Sequence, residues 1–182
     1  MRGKLIWHQV VLFGVLAFLT ILRFFLGQNH FGIEVLWWWL GGVIGFLFVF
    51  ADRLVYALAS NSRETLSIQI KDLFGKGKLI QGLALAFSER EQQKHLVMRS
   101  ALFVVIWAVL AIFTATSVGG GFPRGLVLGL GTHLIFDLVW DYRGGSRDVE
   151  LWFWQVKNVN KMEIDWFVRI SAVFYFLLVW FL

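Results

Sequence analysis

The chain has 182 residues, of which 58% are hydrophobic and only 16% charged, and its net charge is +5. A soluble domain carries about 25% charged residues. Here the charges gather in two polar blocks between long apolar stretches, which indicates segments solvated by lipid. The cations flank these stretches, where they report orientation and attraction to anionic headgroups rather than nucleic-acid binding. The absence of Cys excludes disulfides, thiolate catalysis and Cys-ligated metals. We therefore expect membrane lipids, and no nucleic acid, as partners.

Five apolar segments predict membrane-spanning helices, since a spanning helix needs roughly 20 apolar residues. They cover residues 5–26, 31–51, 101–118, 125–140 and 166–182. The first resembles a signal peptide in following Arg2 and Lys4, but it is too long for a signal core and lacks a small-residue cleavage site. We interpret it as a retained helix. The prediction is an all-α fold: a polytopic transmembrane helical bundle of about five spanning helices with cytoplasmic amphipathic segments, in a single membrane domain over residues 1–182.

A polar insert over residues 60–99 separates the second and third predicted spans. The apolar pattern of the second span continues past Arg53, so its helix is expected to project a turn or two beyond the bilayer. Within the insert, the apolar piece at residues 79–87 is too short to span as a helix. We predict an amphipathic or re-entrant segment on the membrane surface there, in an insert that is cytoplasmic or interfacial.

The third and fourth spans are joined by a short glycine-rich link that ends at Pro123, the only proline, which predicts a tight helical hairpin. Gly125, Gly129 and Gly131 give the fourth span a face of small residues, typical of membrane helices that approach closely. The second polar block, residues 141–165, is rich in Trp, which suggests interfacial burial.

The distribution of Lys and Arg predicts the orientation. Twelve cations lie in the two polar blocks and their flanks: Arg53, Arg63, Lys71, Lys76, Lys78, Arg90, Lys94, Arg99, Arg143, Arg147, Lys157 and Lys161. The opposite side has only Arg124, and Arg23 near the end of the first span. The positive-inside rule therefore predicts a multi-pass protein of the inner (cytoplasmic) cell membrane, with the N-terminus and both blocks in the cytoplasm.

Ionisable groups inside spanning segments are costly and need an explanation. His133 and Asp137 are four residues apart in the fourth span, so a helix places them on one face. Asp141 follows one turn later on the same face. His8 and His30 lie near the predicted membrane boundaries, and we interpret both as interfacial residues without a functional role.

Topology predicts that three helices bring polar groups to the same depth. Asp52 closes the second span at the cytoplasmic boundary, and His95 and Arg99 open the third span there. Asp52, His95, His133 and Asp137 would suit a divalent metal such as Zn²⁺, Mn²⁺ or Mg²⁺. The metal would lower the pKa of bound water, with Arg99 available for an anionic oxygen. The alternative is that these residues hydrogen-bond between helices and serve packing alone.

The stretch from Lys94 to Asp137 contains KHLVMRS and ends in GLGTHLIFD. It resembles the YdjM-like family of bacterial and archaeal inner-membrane proteins, in which a G-x-x-x-HL-x-x-D motif follows an acidic and a His-rich motif. Gly129, His133 and Asp137 match that motif, and Asp52 stands where the acidic motif would end. Arg99 occupies the place of a second His.

The resemblance covers about half the chain, from the second span to the start of the second polar block. It implies an inner-membrane metal-dependent hydrolase and says little about the substrate. The convergence of the polar residues at one depth adds our hypothesis of a membrane-embedded enzyme that acts at the cytoplasmic surface on a lipid-like or phosphoester substrate. The missing His in the middle motif keeps a second reading open, a non-catalytic structural or partner-binding membrane protein.

Overall fold

The computed structural model describes residues 2–26, 32–60, 63–88, 93, 95–117, 119–156 and 159–182, with only the backbone described at residues 2–6, 60, 146 and 147. The α-helices in chain order are α1 (Arg2–Phe25), α2 (Ile33–Phe48), α3 (Asp52–Val55), α4 (Thr65–Gly75), α5 (Leu79–Ser88), α6 (Ala101–Ser117), α7 (Gly121–Gly144), α8 (Ser146–Glu150) and α9 (Lys161–Val179). No strand occurs in these described ranges, which confirms the all-α class.

In the described part of the chain, three helices are long and apolar enough to cross a membrane. They cover Trp7–Phe25, Ile33–Ala59 and Gly121–Gly144. The other two predicted spans correspond to shorter or more polar helices: α6 is apolar but has 17 residues, and α9 begins with the polar sequence KMEID. The fold is thus a helical bundle with three helices able to span a bilayer.

The second span continues beyond α2 as one helical rod. A 3₁₀ turn (Val49–Ala51), α3 and a π-helical turn (Tyr56–Ser60) follow one another without a break. The projection beyond residue 51 agrees with the apolar pattern of the sequence. Such changes of hydrogen-bond register inside a helix reorient the side chains that follow, and Asp52 lies at this point, buried.

Helix α7 is the centre of the bundle. In its apolar window 67% of the residues are buried, against 22% and 33% for the other two candidate spans. On one side, the indole N–H of Trp107 in α6 donates to the carbonyl of Val127 at 2.9 Å. On another, the hydroxyl of Tyr175 in α9 lies 2.7 Å from the hydroxyl of Thr132. These bonds fix α6 and α9 against α7.

Helices α2 and α7 approach each other through glycines. A Cβ added at Gly129 would lie 1.9 Å from the carbonyl oxygen of Gly42, and one at Gly45 would lie 1.9 Å from that of Leu126. Gly125 is equally tight against the carbonyl of Trp38. No residue with a side chain fits such contacts. The expected close approach of the fourth span is therefore present, and its partner is the second span.

Large apolar side chains are exposed on the outer faces of the long helices, where a bilayer would solvate them. Examples are Phe18 and Ile21 on α1, Leu36 on α2, Val109 on α6 and Phe176 on α9. The exposed apolar surface and the central, glycine-lined α7 agree with an integral membrane protein.

Between α3 and α6, the helices α4 and α5 form a hairpin with its own small core. Leu66 and Ile70 of α4 are buried with Ala86 of α5 and Ala57. Gly82 of α5 fits against the ring of Phe74, since a Cβ there would meet that ring at 2.4 Å. The piece predicted at residues 79–87 is thus a helix with one face on α4.

Candidate metal centre

The site is built around Asp137, which is 3% exposed in the C-terminal half of α7. Its Oδ1 lies 2.9 Å from Nε2 of His8. Its Oδ2 lies 3.5 Å from Nε2 of His133 and 3.4 Å from Nε of Arg99. One carboxylate therefore joins α1, α7 and the segment that precedes α6.

His133 is held in one orientation by the end of α2. Its Nδ1 lies 2.7 Å from the carbonyl oxygen of Phe46. Because a carbonyl only accepts, Nδ1 carries the proton, and Nε2 faces Asp137. The rings of Phe46 and Phe50 lie 4.5 and 4.6 Å from the imidazole, centroid to centroid. The imidazole thus sits in an apolar environment with one defined hydrogen bond.

His8 completes the group from α1. It is 3% exposed, and its ring lies 4.9 Å from that of His133 and 4.4 Å from that of Phe136. The interpretation of His8 as an interfacial residue is wrong. The N-terminal end of α1 packs beside the C-terminal half of α7, so a side chain near the start of the chain is enclosed by protein. His30, given the same interpretation, lies outside the described residues.

Arg99 links the group to the second polar block. An Nη atom of Arg99 donates to Oδ2 of Asp141, and the same oxygen accepts the indole N–H of Trp152 at 3.1 Å. The guanidinium lies 5.7 Å from the Trp152 ring centroid. Burial acts to lower the pKa of Arg99, but the carboxylates of Asp137 and Asp141 outweigh it and raise the pKa above its usual value. Arg99 is therefore a permanent cation beside the site.

Two residues predicted as ligands lie outside this group. Asp52 is buried, but its carboxylate accepts the backbone N–H groups of Val97 at 3.2 Å and Met98 at 2.7 Å. His95 is exposed and lies against the ring of Trp154 at 5.3 Å. The physical reason is local: residues 95–100 are not helical, so His95 does not extend the face of α6 toward α7.

Sequence reasoning brought Arg99, His133 and Asp137 together but omitted His8. The expected depth of His8 in the membrane could have identified it from the sequence. His8 lies near the start of the first predicted span, and the positive-inside rule puts that end in the same leaflet as the C-terminal half of the fourth span. His8 is therefore expected at the same depth as His133 and Asp137.

The ligand atoms of His8, His133 and Asp137 lie within 4.8 Å of one another, and all three residues are buried. Ligand atoms around a tetrahedral zinc ion are about 3.4 Å apart, given bonds of about 2.1 Å. The present separations exceed this value by at most about 1.4 Å, which is the scale of the side-chain shift that would close the group around an ion. The bond from His133 to a backbone carbonyl is also the support that metal-binding imidazoles usually have. The residues present fit a divalent metal.

Fold and site together define a class: an α-helical protein with helices able to span a membrane and a buried His–His–Asp group that could hold a metal ion. Comparisons with protein-family models, curated proteins and solved structures found no match. The resemblance to the YdjM-like family therefore stays a prediction.

Proposed function

We propose that this chain is a multi-pass protein of the cytoplasmic membrane that binds a divalent metal ion through His8, His133 and Asp137. The observation that carries the proposal is the convergence of these three buried ligand atoms within 4.8 Å. With the orientation expected from the cations, five spans and a cytoplasmic N-terminus, the metal site lies in the cytoplasmic half of the bilayer.

The hydrogen bond of His133 supports a cation at this point. With its Nδ1 proton directed at Phe46, the imidazole presents a lone pair on Nε2 whenever it is neutral. That lone pair faces the Oδ2 atom of Asp137 at 3.5 Å. A cation between these two acceptors would be stabilised by both, in addition to the Arg99 guanidinium that already lies 3.4 Å from the same oxygen. A metal ion in this position would also use Nε2 of His8, once the proton that this nitrogen donates to Asp137 is released.

The donor set favours one metal among the three expected. Two imidazole nitrogens and one carboxylate oxygen are a known zinc ligand set, whereas Mg²⁺ prefers oxygen ligands. Three protein ligands leave a fourth position open, as in catalytic zinc sites. We therefore assign Zn²⁺ as the preferred ion.

The reaction class that we propose is hydrolysis of a lipid-like or phosphoester substrate at the cytoplasmic surface. When bound, a divalent metal supplies Lewis-acid chemistry and activates water. Arg99 contributes a fixed positive charge beside the group, suited to an anionic oxygen of a substrate. His133 and Asp137, held by α2 and Arg99, keep the donor atoms oriented.

Metal content tests the assignment. The full chain, purified in detergent with added Zn²⁺ and without chelator, is expected to carry about one zinc per chain by elemental analysis. His8→Ala and His133→Ala should lose most of it. His95→Ala is the matched control, since this exposed imidazole lies outside the group. Metal lost in His95→Ala but kept in His8→Ala would contradict the assignment.

Hydrolysis is tested separately with a chromogenic phosphodiester in mixed micelles. The expected result is zinc-dependent turnover that His133→Ala abolishes and His95→Ala preserves. A zinc-loaded protein without turnover on lipid and soluble phosphoesters would leave a metal-binding protein and remove the hydrolase.

A purely structural role is the second candidate, favoured by one observation. Asp137 and Asp141 both pair with Arg99, and this network joins α1, α7 and the segment before α6 without any metal. In that case Asp137→Asn lowers thermal stability, and chelator has no effect on the wild-type protein. Destabilisation of the wild type by chelator, absent in Asp137→Asn, would exclude it.

A further inference from the structure

A second site lies at the opposite end of the same three helices. A cavity of about 280 Å³ lies between the C-terminal end of α1 and the N-terminal ends of α2 and α7. The residues that matter for its chemistry are Arg23, Glu34, Trp38, Gly121 and Arg124. The metal group uses the other end of each helix, so the two sites are independent.

The cavity is lined by cations whose position the positive-inside rule does not explain. Arg23 and Arg124 are the two cations expected on the side opposite the polar blocks, and both line this cavity. The guanidinium of Arg23 also lies over the ring of Trp38, 5.0 Å from its centroid. Two like charges that line one cavity repel each other, and a bound anion would offset that repulsion.

Glu34, the acidic residue that lines the cavity, already accepts a backbone hydrogen bond. Oε2 of Glu34 accepts the N–H of Gly121 at 3.1 Å, in the first turn of α7. The carboxylate thereby caps a 24-residue helix whose N-terminus attracts negative charge. Among the described residues that line the cavity, two side chains are positive and one is negative, a balance that favours an additional anion.

Trp38 supplies a donor that lacks an acceptor. Its side chain lines the cavity and is 4% exposed, and its indole N–H is buried without a hydrogen-bond partner. An indole nitrogen can only donate. A buried donor left unpaired costs about 1–3 kcal/mol, so a bound acceptor at this point would be stabilised.

We propose that this cavity binds a phosphate group, either that of a lipid headgroup or free phosphate. Guanidinium groups match the planar spacing of phosphate oxygens, and the helix N-terminus and the indole N–H add dipole and donor. The consecutive Trp37, Trp38 and Trp39 are the residues that favour the depth of lipid headgroups. The site is thus positioned for the phosphate of a lipid in the leaflet opposite the metal group.

The test uses the full chain in a neutral maltoside detergent and phosphate-free buffer. Isothermal titration calorimetry compares inorganic phosphate, dihexanoyl phosphatidic acid and the uncharged dihexanoyl glycerol. We expect dihexanoyl phosphatidic acid to bind and the glycerol to give no heat. Binding of inorganic phosphate as well assigns the site to the phosphate group itself, and binding of the phosphatidic acid alone assigns it to a lipid.

Variants locate the binding. Arg23→Gln and Arg124→Gln should each weaken it by about tenfold or more, as expected for the loss of a charged hydrogen-bond donor. Trp38→Phe keeps an aromatic ring beneath Arg23 and removes the N–H together with the smaller ring of the indole, so it tests the site where an arginine variant folds poorly. Arg143→Gln, exposed in the last turn of α7, is the control. No binding of either phosphate ligand, or equal weakening by Arg143→Gln, overturns the proposal.

Discussion

Gly129→Ala tests how strictly the α2–α7 contact sets the geometry of the metal group. The added Cβ would lie 1.9 Å from the carbonyl oxygen of Gly42, and the next nearest atoms are also backbone. Ordinary contact begins at 3.4 Å, so the two helices must separate by about 1.5 Å at this point. No side chain can rotate away to relieve the contact.

The separation reaches the site one turn later. Phe46 follows Gly42 by four residues, and His133 follows Gly129 by four, so the bond between them lies directly beyond the contact. A shift of about 1.5 Å lengthens this 2.7 Å bond past the hydrogen-bond limit of about 3.2 Å. Overpacking costs about 1–3 kcal/mol and the lost bond about 1 kcal/mol more. We expect lower stability together with weaker zinc binding.

The assay is reversible unfolding in mixed micelles, followed by circular dichroism, with zinc affinity measured on the same samples. Gly14→Ala is the matched control, because a Cβ at Gly14 meets no atom within 4 Å. That change should leave the free energy of unfolding unaltered or raise it by up to about 1 kcal/mol. If Gly129→Ala unfolds at the same point as Gly14→Ala and binds zinc equally well, the packing argument is refuted.

Three further substitutions test other parts of the structure. Asp52→Asn weakens the acceptor of two backbone N–H groups before α6, so it should lower the free energy of unfolding by about 1–3 kcal/mol with zinc content unchanged; lost zinc at full stability would restore Asp52 as a ligand. Asn160→Ala removes the capping box of α9 and should lower the thermal midpoint through a loss of about 1 kcal/mol, and an unchanged midpoint would argue against the cap. Trp107→Phe deletes the donor to Val127 and part of a buried ring that packs against Gly131, so it should cost more than about 1 kcal/mol in chemical unfolding; a superimposable curve would contradict this packing.

The sequence predicted the helices well and their ends less well, for a physical reason. Hydropathy reports where lipid solvation would begin, whereas a helix begins where its first N–H groups find acceptors. The fourth span was predicted from residue 125, but α7 begins at Gly121, where Glu34 accepts the backbone N–H. The fifth was predicted from residue 166, but α9 begins at Lys161, directly after the Asn160 cap.

The candidate site depends partly on spacing within one helix, which the sequence shows, and partly on contacts between residues far apart in the chain, which it does not. The spacing of His133 and Asp137 is a property of one helix, so the sequence alone places them on one face. The position of His95 depends on whether the chain before α6 is helical. The carboxylate of Asp52, more than forty residues away in the chain, binds the backbone N–H groups there. The sequence before α6 is charged and contains no Pro or Gly. It therefore gives no sign that these N–H groups bind Asp52 instead of forming a helical turn.

The two halves of α7 contact α2 in different ways. Toward its N-terminus, glycines allow α2 to approach so closely that only backbone fits between the helices. That approach carries the Phe46 carbonyl to His133, which in turn directs Nε2 at Asp137. A buried imidazole N–H needs an acceptor in a packing role as well as in a ligand role, and this acceptor leaves Nε2 directed at Asp137. The orientation of His133 suits a ligand role, and Gly129→Ala separates the two explanations, because a site used only for packing would lose stability in that variant although neither protein binds zinc there.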